Sequence, residues 1–371
     1  MRALIRIFDE IEDPRGLNVR HDLTAMLFIA LAATLCGAKS AIEIADFAAA
    51  NEAELAEIVD LPHGAPSHDS FSRIFRLLDP EALSAALLRF AQELRKGLGL
   101  GPLPGVVAVD GKRMRRGYER GRSALPPLMV SVWEAETRLS LAAQAPVAGA
   151  DPANEVAAAL AALKTVMLRG SIVTADAAHC HAAMASGVLQ RGADYALVLK
   201  GNHNALHAYA EARFAQAEAG RALPCHEVET FGHDRRERRR VSLVGVTKTA
   251  PPFPGLKAIA RIEREREVTG RKTERSVHYV VLSRRLPLDR LMQVIRLHWS
   301  VENHLHRQLD VVFHEDAARS RKNNAPYNQS IIRRMALDML RAHPDRRSPA
   351  RKMNIARWKK GFLFELFAYM R

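Results

Sequence analysis

The sequence predicts a mixed α/β core with a β-rich insertion, preceded by an all-helical segment. Three observations predict it. Residues 1 to about 98 carry apolar residues at helical spacing, with helix caps and no strand-like alternation. The stretch Gly97-Leu-Gly-Leu-Gly-Pro-Leu-Pro-Gly105 marks a boundary. Beyond it short apolar runs alternate with helical patterns, and from Cys225 to Leu282 the chain becomes charged and rich in β-branched residues.

In the helical segment, Ser40-Ala-Ile-Glu43 is a capping box opening a helix that runs to Ala50, and Ser67 caps another over 68–78. The second has Phe71, Ile74, Phe75 and Leu78 on its apolar side and carries Arg73 and Arg76. It reads as an amphipathic bundle helix, with a DNA-reading helix as the sharper alternative. The most apolar run, 25–38, is too short to span a bilayer and reads as a core helix. Asp9, Glu10, Glu12 and Asp13 precede it where a signal peptide would be basic. Cys36, Cys180 and Cys225 form neither a disulfide framework nor a zinc motif and fit a reducing cytoplasm. A cytoplasmic, nucleoid-associated protein is expected.

Strand-like runs follow at 105–109, 127–133, 139–147, 171–175 and 195–199, with helical patterns at 154–168, 180–191 and 202–219. In the charged region, 241–246, 256–262 and 277–282 read as strands. The last thirty or so residues are basic and then hydrophobic (Phe362, Leu363, Phe364, Leu366, Phe367), a terminal helix docking on the core. The expected division is a helical domain over 1–98 and a catalytic domain over 102–371, with the insertion at about 225–285. A chain starting near Pro102 is expected to keep its fold.

Two acids close apolar runs: Asp110 after Gly-Val-Val-Ala-Val, and Asp176 after Gly-Ser-Ile-Val-Thr-Ala. Each therefore projects from a strand end, where open α/β sheets place ligands, although any βα turn can begin with a capping Asp. In Asp110-Gly-Lys112, glycine permits a tight turn beside a ligand and Lys112 can offset acidic charge. Glu302 lies in the helical pattern 287–309, whose Leu288, Leu291, Ile295, His298, Glu302, Leu305 and Leu309 share one face. A glutamate in that stripe needs a proton, a basic partner or a metal. Three such carboxylates suit two Mg²⁺ or Mn²⁺ ions, and a metal pair can drive in-line attack on a phosphodiester. His298, His304, His306 and His314 crowd the same region without a zinc pattern, and read as residues that support the acids or touch DNA. Trp299 reads as a packing residue, with stacking on an extruded base as the alternative.

Lys and Arg outnumber Asp and Glu by 55 to 41, a net charge of +14 that points to a polyanionic partner. Arg235, Arg236, Arg238, Arg239 and Arg240 surround one glutamate on a probable strand, where they are expected to contact phosphates. Lys200 begins a strand-to-helix turn whose amides can hold a phosphate. Arg319, Arg321 and Lys322, shortly after Glu302, are the best candidates for gripping DNA near a cut, and Lys112 is a further expected DNA contact.

With these residues in view, the chain resembles the DDE transposases of bacterial insertion sequences, specifically the family of H-repeat-associated proteins. The resemblance is carried by Ile11-Glu-Asp-Pro-Arg-Gly16, Val109-Asp-Gly-Lys112, Thr174-Ala-Asp-Ala177, Leu199-Lys-Gly-Asn202, His298-Trp-Ser-Val-Glu-Asn303 and Leu309-Asp-Val-Val-Phe-His-Glu-Asp316. Nearly the whole chain takes part. It implies an RNase H-like fold, Asp110, Asp176 and Glu302 as a metal-binding triad, and a cut-and-paste reaction on double-stranded DNA by a homo-oligomer. The chain departs from the Tyr-x₂-Arg-x₃-Glu-x₆-Lys pattern of related transposases. Ile295, His298 and Leu309 stand at its Tyr, Arg and Lys positions, so those roles are not carried over; Arg296, Arg307 and Lys322 are the candidates to replace them in space. His181 stands where relatives suggest an amide. The rival readings are an RNase H-like nuclease or resolvase, and an inactive transposon-derived DNA-binding protein.

Overall fold

The computed structural model describes residues 1–16, 19–101, 105–118, 126–145, 153–220, 222–232, 235–268 and 272–370. The chain begins with helices α1 (Arg2–Asp9), α2 (Leu23–Leu35), α3 (Ala41–Ala50), α4 (Glu52–Ala56), α5 (His68–Leu77) and α6 (Pro80–Gly97). All of α2 is buried, which is why a run apolar on every side is stable there. Asp22 starts it by accepting the Ala25 N–H at 2.9 Å. Ser40 Oγ accepts the Glu43 N–H at 3.2 Å, but Glu43 returns its bond to the Lys39 N–H, one residue before the position a capping box requires. On α5, Phe71, Ile74 and Phe75 are buried as the pattern predicts.

There follow β1 (Val106–Arg113), β2 (Leu128–Glu134), β3 (Leu139–Gln144), α7 (Ala153–Thr165), β4 (Ile172–Ala175), α8 (Ala182–Leu189), β5 (Asp194–Leu199) and α9 (Asn204–Glu218). Then come β6 (Cys225–Gly232), β7 (Arg235–Gly245), β8 (Ala258–Val268) and β9 (Glu274–Leu282). The chain closes with α10 (Leu288–Val301), a π-helical turn Glu302–His306, α11 (Arg307–Phe313), α12 (Ala325–Ala342), α13 (Pro349–Trp358) and α14 (Lys360–Leu366). The strands form one sheet in the order β3-β2-β1-β4-β5-β9-β8-β7-β6. An antiparallel meander β1-β2-β3 is joined by β4 and β5, both parallel to β1, which is the RNase H-like arrangement.

The β-rich region is not a separate layer. β9 pairs with β5 from Ala196↔Leu282 to Leu199↔Tyr279, so β6–β9 extend the core sheet sideways. β6 lies where the sequence suggested no strand. Its burial alternates as befits an edge, and its Glu227 and Glu229 put charge there.

One sheet face packs on α7, α8 and α9 through residues such as Leu163, Met184, Val188 and Phe214. The other packs on a larger core shared by the first six helices and those from α10 onward. α12 lies against α2, α5 and α6, α6 lies on β3, and the rings of Phe28 and Phe367 are 5.2 Å apart. Asn328 donates to the carbonyls of Phe75 and Leu78. The first helices are thus part of the larger core, which bears on whether a chain starting near Pro102 keeps its fold. Among the described residues, no helix is long and apolar enough to cross a membrane.

Candidate active site

The β1–β4 ladder ends at Val109↔Ala175, so the next residues, Asp110 and Asp176, lie side by side. Side chains alternate along a strand, so both follow Ala108 and Thr174 toward the face that α10 covers. Asp176 ends its strand and caps the next turn, accepting the Ala178 N–H at 3.1 Å. Asp110 does not end its strand, contrary to expectation, because β1 stays paired with β2 as far as Arg113↔Leu128. Gly111 likewise makes no turn. It lies in the strand opposite Val130, and a Cβ there would meet the end of the Glu155 side chain, which would have to turn aside.

The expected continuous helix over 287–309 is interrupted. After α10 the chain widens into the π turn, a distortion often found at functional sites. His298, Leu305 and Leu309 are buried as the stripe predicts, but Glu302 is exposed. The reason is where the sheet stops. His298 Nδ1 sits 3.3 Å from Thr174 Oγ1, and β4 ends one residue later. One helical turn on, Glu302 projects past the strand ends toward solvent. Its charge is still felt at Asp110.

Burial, then the neighbouring Asp176 and Glu302, push the Asp110 carboxyl up to about 7, against the Gly111 amide and His179, which pull it down. His306 Nδ1 stands 3.5 Å from Asp110 Oδ2, and burial and Arg334 lower its ring to about 3, so it is neutral. His298, lowered by burial to about 4, is neutral too. On the other side His179 is fully buried, 3.4 Å from Glu155. Among the described residues no three acidic, histidine or cysteine side chains converge into a metal-holding group. The donors are nevertheless hard carboxylate oxygens, and Asp110 is raised first by burial and then by Asp176, both of which a bound divalent cation would offset.

The expected DNA contacts divide. Lys112 is not a surface cation: it is 7% exposed and its ammonium meets Asp310, Glu315 and Asp316. The arginine run is also engaged. Arg235 and Arg239 face Glu237, Arg236 faces Glu229 and Glu267, and Arg238 and Arg240 face Glu227. Cross-strand pairing with β6 and β8 sets the contacts of Arg236, Arg238 and Arg240, while Glu237 lies on β7 between Arg235 and Arg239. Lys200 is exposed beside His278, whose protonation is disfavoured by burial and then by Lys200 and Arg264. Arg319, Arg321 and Lys322 are exposed, and Arg321 donates to the Arg116 carbonyl at 3.0 Å.

That hydrogen bond brings in residues that the sequence pattern did not single out. Arg113, Arg115 and Arg116 are exposed just after Asp110, and only Arg115 pairs with a carboxylate, Asp316, among the described residues. Their signal was present in Lys112-Arg-Met-Arg-Arg116. Trp299, 43% exposed, lies against the rings of His278 and His298, so it is not simply a core residue. Ile295 and Leu309 are buried, while Arg296 and Arg307 are exposed.

Known proteins resemble this chain along most of its length. A family model described as "DDE_Tnp_1-associated" matches residues 5–91, and one described as "Transposase DDE domain" matches residues 101–339. The "Uncharacterized protein in dhlA 3'region" of Xanthobacter autotrophicus is 36% identical over 270 residues, covering 71% of this chain and 88% of that protein. "Putative transposase YncI" of Escherichia coli O157:H7 is 29% identical, covering 92% and 88%. "H repeat-associated putative transposase YhhI" of Escherichia coli K12 is 26% identical, covering 87% and 86%. The chain belongs to the DDE transposases, in the H-repeat-associated family, and is a DNA transposase.

Proposed function

We propose that Asp110, Asp176 and Glu302 are the metal-binding acids of this transposase, and that it cleaves transposon ends and joins them to target DNA. The observation that carries the reading is the register of β1 and β4, which sets Asp110 beside Asp176 where Glu302's charge also reaches. When bound, two Mg²⁺ or Mn²⁺ ions would polarise the scissile phosphate and make water a better nucleophile. The three carboxylates supply oxygen ligands, and the neutral His298 and His306 add no cation that would compete for them. In cleavage, a water oxygen bonds to phosphorus as the bond to the 3′-oxygen breaks. In transfer, the freed 3′-hydroxyl bonds to a target phosphorus as another P–O bond breaks. Each step exchanges one such bond for another, so no covalent protein–DNA intermediate is needed.

Arg113, Arg115, Arg116, Arg319, Arg321 and Lys322 surround the β1 end of this site, and they are the phosphate-binding surface in this reading. Handling two ends in one event calls for a homo-oligomer on double-stranded DNA. Arg235, Arg236, Arg238, Arg239 and Arg240 are secondary contacts, because binding phosphate there must displace glutamates already in place. Replacing Arg116, Arg319, Arg321 and Lys322 by Ala should therefore flatten the salt dependence of DNA binding, by about 0.9 for each phosphate no longer neutralised. Replacing the five β7 arginines should change it less. The reverse ranking would move the DNA path to the edge of the sheet.

The deciding experiment supplies Mg²⁺ or Mn²⁺, a duplex carrying the inverted repeats that flank the gene, and a supercoiled plasmid. The expected product is plasmid covalently joined to the 3′ ends of the duplex. Cleavage without joining would favour a nuclease or resolvase, and binding without cleavage an inactive DNA-binding protein.

A further inference from the structure

Two motifs singled out in the sequence, Val109-Asp-Gly-Lys112 and Leu309-Asp-Val-Val-Phe-His-Glu-Asp316, meet in space. Lys112 follows Asp110 by two residues on the same face of β1. Its Nζ lies 2.8 Å from both Asp310 Oδ1 and Asp316 Oδ1, and 3.4 Å from Glu315 Oε2. Asp310 lies on α11, directly after the π turn that begins with Glu302. His314 then adopts a left-handed conformation (φ 52°), reversing the chain so that the next two acids reach the same ammonium.

A second grip is applied one strand over. Glu315 accepts from Ser330 Oγ at 2.6 Å and lies 3.5 Å from Nη1 of Arg334, a fully buried arginine. Arg334 Nη2 in turn reaches Ser131 Oγ at 3.0 Å. Ser131 is the residue directly opposite Asp110 in the β1–β2 ladder. His306 lies between the two halves, with Nδ1 toward Asp110 and a buried Nε2 that has no hydrogen-bond partner among the described residues.

Ions withdrawn from water are poor stabilisers, and apolar residues of the same volume generally serve the fold as well or better. What such a network supplies is direction, since charged hydrogen bonds fix distance and angle where apolar contacts do not. Here it ties the strand bearing Asp110, and the residue opposite Asp110, to the distorted helix bearing Glu302. We infer that Lys112 is a positioning residue: together with Asp310, Glu315, Asp316 and Arg334 it holds Asp110 and Glu302 at the separation a shared divalent metal requires. The inference rests on the triad proposed above.

The test measures Mn²⁺ binding to the full chain, from the loss of the free-ion paramagnetic resonance signal, alongside thermal unfolding. Lys112→Met leaves buried carboxylates unpaired and can fail to fold, so it is combined with Asp316→Asn. Ser131→Ala is the milder variant, since it only loosens Arg334's hold beside Asp110, and it decides alone where the pair does not fold. Loss of a residue that orients metal ligands weakens metal affinity by about 10–100-fold. That range is expected for folded Lys112→Met/Asp316→Asn, with a smaller loss for Ser131→Ala and unchanged DNA affinity for both. Wild-type Mn²⁺ affinity in the folded variants would overturn the positioning role and leave the triad standing. Undiminished binding by Asp110→Asn would remove the triad, and this inference with it.

Discussion

Asp110→Asn, Asp176→Asn and Glu302→Gln should each abolish metal-dependent strand cleavage, with DNA affinity changed little. Each swap preserves shape while removing a charged oxygen ligand, and the cations placed around the site lie on other side chains. Asp110→Asn carries a second expected effect that concerns stability. Its carboxyl is raised from an ordinary 3.8 to about 7 in the folded chain, first by burial and then by Asp176. For an acid shifted upward, the ionised form is what the fold disfavours. The penalty is absent below the unfolded value, grows as pH rises from about 4 to 7, and is complete above 7. Three pKa units correspond to about 4 kcal/mol. Without metal at pH 8, Asp110→Asn should therefore unfold at a higher temperature than the wild type, with the gap closing near pH 4. Added Mn²⁺ should reverse the order, because only the wild type gains stability from binding it. A gap between variant and wild type that is the same at pH 4 and pH 8 would show that ionising Asp110 carries no such penalty. Near-normal cleavage by any one variant would take that residue out of the triad.

Removing residues 1–101 should prevent folding altogether. Buried faces of α2, α5 and α6 pack on α12, and α6 covers β3. Their loss would expose Leu337, Leu340 and Phe367, now at most 2% exposed, along with the sheet face beneath α6. Fully burying side chains of this kind stabilises by about 1.5–3 kcal/mol each, and a domain's whole margin is about 5–15 kcal/mol. A handful of them exceeds that margin. Circular dichroism and unfolding of the purified fragment would check this, with an insoluble or molten product expected. A cooperative transition from a fragment starting near Pro102 would instead support the two-domain division. If the fragment does not fold, end recognition has to be mapped by surface substitutions such as Arg73→Ala.

The strand that closes on Asp176 and the chain's membership of the DDE transposases were legible from residue order alone. Those features are local: an apolar run closing on Asp176 reads as a strand end whatever packs on it, and ordered motifs survive as strings. Partnership was not legible. Arg235 to Arg240 look like a free basic face in sequence, and only the register of β7 with β6 and β8 sets glutamates of the neighbouring strands against Arg236, Arg238 and Arg240. Lys112 looks like a cation available to DNA until α11 and its left-handed end bring acids about two hundred residues distant onto it. Glu302 falls in a buried stripe by periodicity, yet it is exposed because β4 beneath that stripe ends at Ala175. Periodicity reports which face of an element turns inward; how far the neighbouring element extends, and which charges meet across it, are set by contacts between residues far apart in the chain, and these the tertiary structure alone decided.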